Sequence, residues 1–130
     1  MANPDIVSVA HIYVVTANYP VTGSSAVSVL TNAASSGKVY KIESMTVANT
    51  TSVAVNCTVS YYTKSTAVGS APASGTAYPI CATVSIPANA SLVVIEKSNG
   101  IYLTEDACIS VTSGNASGYL TVNISYEDIS

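Results

Sequence analysis

Val53-Ala54-Val55-Asn56-Cys57-Thr58-Val59-Ser60-Tyr61-Tyr62-Thr63 is the stretch that decides the fold of this chain. Val53, Val55, Cys57, Val59 and Tyr61 occupy every second position, with Ala54, Asn56, Thr58, Ser60 and Tyr62 between them. A strand side chain changes face at each residue, so the spacing predicts one apolar face and one hydroxyl-rich face: a half-buried antiparallel strand. Its β-branched residues fit a pleated surface, and no Pro or Gly interrupts it. The apolar face needs a second layer, and the repeated alternation elsewhere predicts that more strands supply it.

Upstream, residues 11–16 read as a strand with a dense apolar run, Ile12, Tyr13, Val14 and Val15, after which Asn18, Pro20 and Gly23 predict a loop. Residues 25–31 alternate again. In residues 39–49, Tyr40 and Ile42 face one way and Met45 and Val47 the other, and this change of phase near Ser44 predicts a β-bulge or a strand bent between two sheets. Residues 49–52 are expected to close a hairpin with the strand that follows. Residues 64–76 lack periodicity and fit either a contact loop or a tolerated flexible insertion.

Downstream, Tyr78, Ile80, Ala82, Val84 and Ile86 alternate, and Pro79 places that strand at a sheet edge or a strand start. Leu92, Val93, Val94 and Ile95 are apolar on both faces, which predicts cover on both sides, one of them from a partner chain or the domain's own loops. Ser98-Asn99-Gly100 predicts a turn with positive φ. A short strand at residues 101–103, a turn at Thr104-Glu105-Asp106, alternation of Ala107, Ile109 and Val111, a turn at residues 114–118 and an inward row of Leu120, Val122, Ile124 and Tyr126 complete the pattern. Eight or nine strands without a helix predict an all-β antiparallel β-sandwich of jelly-roll type. Residues 11–130 form the single domain, with residues 1–10 as an N-terminal arm or an edge strand. A chain of 130 residues can bury its own core.

Composition narrows the function. Charged residues make up 8% of the chain against a typical value of about 25%, so Ser, Thr and Asn carry the surface. With four Lys, no Arg and a net charge of −3, no basic patch can neutralise phosphates, and nucleic-acid binding is excluded. No apolar run is long enough for a membrane helix, and no basic-then-apolar N-terminus predicts export. Cys57, Cys81 and Cys108 are odd in number and widely spaced, which fits buried thiols in a reducing compartment. The five Asn-x-Ser/Thr matches, at Asn49, Asn56, Asn89, Asn115 and Asn123, are what a Ser- and Thr-rich chain produces by composition.

Titratable groups are too few for a catalytic or metal site. His11 is the lone His and lies in an apolar run; Glu105-Asp106 and Glu127-Asp128 lack the spaced oxygen ligands of a calcium loop and read as solvated acids. No catalytic residue, metal or cofactor is expected. Nine Tyr without Phe or Trp fit core filling, surfaces buried on assembly, or stacking on a saccharide.

Ile86-Pro87-Ala88-Asn89-Ala90 leading into Leu92-Val93-Val94, then Ile101-Tyr102-Leu103-Thr104-Glu105-Asp106, then Ile124-Ser125-Tyr126-Glu127-Asp128-Ile129, resembles the small all-β virion structural proteins of tailed bacteriophages, of the cyanophage or marine-phage type. Val39-Tyr40-Lys41-Ile42 and Val47-Ala48-Asn49 fit the same likeness, which covers roughly residues 25–130. The resemblance implies a non-enzymatic protein made in the host cytoplasm and carried in the virion, as a capsid decoration or cement protein, with a neck, tail or fibre position as the alternative. Its partner would be the major capsid protein or another virion protein, and its own copies. A carbohydrate-binding β-sandwich module is the reading from another class. Expected partner contacts are Ile6, Val7 and Val9 in the N-terminal segment, Val93 or Val94 in a self-associating strand with a trimer expected, and Tyr62 and Val68 about the 64–76 loop.

Overall fold

The computed structural model describes residues 8–115 and 119–130. Nine strands form two antiparallel sheets. The first contains β1 (Ile12–Val21), β9 (Leu120–Ile129) and β3 (Val39–Asn49), with β6 (Ser91–Ile95) and β7 (Ile101–Leu103) both paired to β3. The second runs β2 (Val27–Asn32), β8 (Ala107–Ser113), β4 (Val55–Tyr62) and β5 (Ala77–Ile86). Successive strands change sheet from β1 to β4, again between β5 and β6, and from β7 to β8 to β9. The last strand is inserted between the first and the third. This order is that of a jelly roll.

The strands β6 and β7 are one interrupted strand. Ser91, Leu92, Val93 and Ile95 pair with the second half of β3, and Ile101, Tyr102 and Leu103 with its first half. Residues 96–100 loop out between them through a 3₁₀ turn at Lys97–Asn99, across from the point where β3 shifts register against β9 between Ile42 and Ser44. The apolar phase change seen in the sequence is that bulge: Ile42, Met45 and Val47 all reach the core because an extra residue, Glu43, is accommodated there.

The core lies between the sheets. Ile42, Met45 and Val47 of β3 and Leu120, Val122 and Ile124 of β9 pack in one cluster with Val55, Cys57 and Val59 of β4 and Ile109 and Val111 of β8. Each such aliphatic side chain, fully buried, contributes about 1.5–3 kcal/mol relative to exposure. Residues 64–76 add a third layer. The outward-facing Ser28, Cys108 and Ser110 of the second sheet are buried, and the Cys108 thiol donates to the Lys64 carbonyl at 3.4 Å. The loop also pairs with the edge of β2, where Ser28 N–H donates to Ser70 O at 2.9 Å and Gly69 N–H to Ser28 O at 2.8 Å. It is therefore no loose insertion but a cover held by the sheet beneath it, with Val68 exposed on its outer side.

Several local expectations are corrected. Val53 lies outside β4 and is exposed, because the chain is still crossing from one sheet to the other at that point. For the same reason β3 and β4 form no hairpin: they sit in different sheets. Asn18 and Pro20 do not end the first strand, which continues to Val21. Gly100 has φ −53°, so no positive-φ turn forms there; a Cβ at Gly100 would stand 2.9 Å from the Ile42 carbonyl, and close approach explains the glycine. Residues 116–118 of the expected 114–118 turn lie outside the described residues.

Candidate functional site

The edge of the first sheet is built by β1. His11 and Ser130 exchange both backbone hydrogen bonds at 3.0 Å, and antiparallel pairing alternates from there. Tyr13, Val15, Ala17, Tyr19 and Val21 therefore bond to β9, while the N–H and C=O groups of Ile12, Val14, Thr16 and Asn18 point away from the sheet. Side-chain contacts mark the same alternation: Thr16 Oγ1 lies 3.1 Å from Ser125 Oγ, and the Asn18 amide donates to Asn123 Oδ1, both at narrow pairs. Pro20 sits at an outward position, so its missing N–H removes nothing from the ladder. At the other end of β1, Ile12, Tyr13 and Val14 are 56%, 58% and 78% exposed.

The expected contact residues that lie among the described residues do not form one site. Ile6 and Val7 lie outside the described residues, and Val9 is half-buried beside the point where Ala10 N–H donates to Ser130 O at 2.9 Å. Val93 points outward and is exposed, whereas Val94 packs against the core, so within the chain itself β6 is covered on one face. Tyr62 is half-buried on the second sheet and Val68 is exposed in the loop above it, both remote in topology from β6. Of the nine Tyr, Tyr19, Tyr40, Tyr61 and Tyr126 pack against the core and Tyr13, Tyr78, Tyr102 and Tyr119 are exposed.

The turn between β7 and β8 holds the other concentration of polar groups. Glu105 is buried and accepts the Gly37 N–H at 2.8 Å, which corrects its reading as a solvated acid. Asp106, with φ +58°, accepts from Lys64 Nζ at 2.5 Å and from the Ser65 backbone N–H and hydroxyl at 3.2 and 2.8 Å. The Lys64 and Ser65 donors hold its carboxyl down at about 2. Together these two acids pin the loops at residues 33–38 and 64–76. Beside them, a shallow cavity of about 230 Å³ is lined by Tyr61, Thr63, Thr104, Glu105, Asp106 and Ala107, with the Tyr61 hydroxyl 3.3 Å from Thr104 Oγ1.

No family model and no curated protein matches the chain. One solved chain is similar. It belongs to the structure of the infectious bursal disease virus Gx strain and aligns with a TM-score of 0.41 at 14% identity, over 92% of this chain and 37% of that one. This chain thus spans 37% of the length of the chain it matches.

Among the described residues, no three His, Cys, Asp or Glu side chains come together to hold a metal ion. Lys38 pairs with Asp128 at 2.8 Å and Lys41 with Glu43 at 3.0 Å, so Lys38, Lys41 and Lys64 are all engaged in ion pairs. Sequence reasoning missed the Ile12–Val14 edge, although its signal was present. A run apolar on both faces was singled out at residues 92–95, and the same signature stands at residues 12–15.

Proposed function

We propose that this chain is a non-catalytic virion structural protein, made in the host cytoplasm and bound to the outside of a capsid shell as a decoration or cement protein, with a neck, tail or fibre position as the alternative within the same class. One observation carries the reading: a jelly roll with few charged residues, three of its four Lys held in ion pairs, presents exposed Val and Tyr side chains on its strands. Jelly rolls serve as capsid and lectin domains, and a neutral surface with exposed aromatic and branched residues suits burial against another protein. The resemblance of residues 25–130 to phage virion proteins points the same way. Binding of the purified protein to empty capsids, followed by electron microscopy of the decorated particles, tests it. Removing residues 1–9 separates the two readings of that segment: a docking arm leaves the melting curve nearly unchanged and abolishes capsid binding, whereas an edge strand of the domain lowers stability sharply. Full-length protein that neither binds capsids nor appears in purified virions would sink the reading.

The cavity at Tyr61, Thr104, Glu105 and Asp106 favours a second reading, a carbohydrate-binding module, since a tyrosine ring beside carboxylates and hydroxyls can recognise a sugar. Saturable saccharide binding that Tyr61→Ala abolishes would support it.

A further inference from the structure

The four sheet edges of this sandwich are not protected alike. The edge of β2 is paired with Gly69 and Ser70. The edge strand β5 carries Pro79, a left-handed Thr83 at φ +51° and two register shifts against β4. The edge made by β6 and β7 is interrupted at residues 96–100, which carry Glu96 and Lys97. Proline, bulges, charges and covering loops are the devices that stop an edge from pairing with another chain. Among the described residues, the one such device on β1 is Pro20, at the far end. From Ile12 to Asn18 the strand is regular and uncharged, no other described residue pairs with its outer edge, and its first residues are apolar on both faces.

We propose that the first half of β1 is a homodimer interface, in which the strand pairs antiparallel with β1 of a second copy across a two-fold axis and joins two sheets into one. The occupant follows from the strand itself. An antiparallel pair about a two-fold axis requires that the residues with outward backbone groups meet their own kind, and Ile12, Val14 and Thr16 satisfy this when Val14 faces Val14 of the partner subunit. Ile12 then opposes Thr16 of the partner subunit, and Pro20 stays outside the ladder. With no charged residue on β1, two copies bring no like charges into register, although the chain as a whole is acidic. The outward Ile12 and Val14 and the exposed Tyr13 lose solvent at the same time as the backbone groups gain partners. The inference stands apart from the capsid reading, since it needs no partner but the chain itself.

Sedimentation equilibrium of the full chain tests it. The wild type should have twice the monomer mass over a wide concentration range. Val14→Pro, which removes an N–H that β9 does not use, and Val14→Lys, which sets two like charges on the axis, should each halve that mass with an unchanged circular dichroism spectrum. Val93→Lys, on the opposite edge, should leave it unchanged. A wild type that stays monomeric at high concentration overturns the proposal. So does a dimer that Val14→Lys leaves intact, or one that Val93→Lys dissociates, which would move the interface to β6.

Discussion

The side-chain amide of Asn49, the last residue of β3, donates to the carbonyl of Ile86, the last residue of β5, at 3.0 Å, and so ties the ends of the two sheets together. The same amide reaches the carbonyls of Val53 at 2.7 Å and Pro87 at 3.2 Å, while its oxygen accepts from the Thr51 N–H at 2.9 Å and hydroxyl at 2.7 Å. Asn32 plays the same part at the end of β2, donating to Lys38 O at 2.8 Å and Leu103 O at 3.1 Å. Asn49→Ala should therefore lower unfolding stability by roughly 2 to 3 kcal/mol, because it leaves buried carbonyls without a donor. Urea denaturation checks this. A loss no larger than for Asn56→Ala, an exposed asparagine on β4, would show that the tie carries no stability.

The strand pattern was legible in the sequence because periodicity reports the face that each residue presents, and that is why the boundaries of β3 coincide with the expected ones. Pairing partners were less legible. The step from β3 to β4 looks like a hairpin in one dimension, and only the need to bury two opposed sheets sends it across the sandwich. Asn49 shows the same limit: as part of an Asn-x-Thr match it read as composition, yet its burial depends on carbonyls up to 38 residues away. The acids of the turn after β7 were misread for a related reason. Their donors, Gly37, Lys64 and Ser65, come from loops that no local pattern connects to Glu105 or Asp106.

Cys57 should behave as a buried apolar residue. Burial, with a smaller contribution from Cys81, pushes its thiol up to about 12, so it stays protonated and unreactive near neutral pH. A thiol reagent should label the half-exposed Cys81 first and reach Cys57 and Cys108 only on unfolding. Cys57→Ser, which sets a hydroxyl in the core cluster, should cost about 1 to 3 kcal/mol, whereas a reducing agent should leave the wild-type melting temperature unchanged. A marked loss on reduction would reveal a disulfide.

Acid should release the 64–76 cover before the sandwich itself. The Asp106 carboxyl titrates at about 2 in the folded protein against an ordinary value of 3.8, so the unfolded chain takes up its proton first as pH falls. The stabilisation is complete above about 4 and disappears as pH drops through about 2. Limited proteolysis within residues 64–76 should accordingly rise across that window, and Asp106→Asn should be cleaved readily at every pH without a further acid step. Equal cleavage of wild type and variant at neutral pH would count against the latch.

Gly69 should prove irreplaceable for two separable reasons. Its φ of +90° lies where L side chains are rare, and a Cβ there would stand 3.0 Å from the Tyr19 hydroxyl, which reaches the loop from β1 of the opposite sheet. The backbone component alone costs about 1 to 3 kcal/mol for a non-glycine residue. Gly69→Ala should therefore destabilise the chain and speed amide exchange at Ser28, whose N–H and C=O are held by Ser70 and Gly69. Tyr19→Phe removes the obstructing oxygen and leaves the ring in place. In the double variant the steric part of the loss should be recovered and the backbone part should remain, a non-additivity that a double-mutant cycle measures directly. If the two substitutions simply add, the Tyr19 contact contributes nothing to the demand for glycine; if instead the double variant regains wild-type stability in full, the contact accounts for all of it and the left-handed backbone for none.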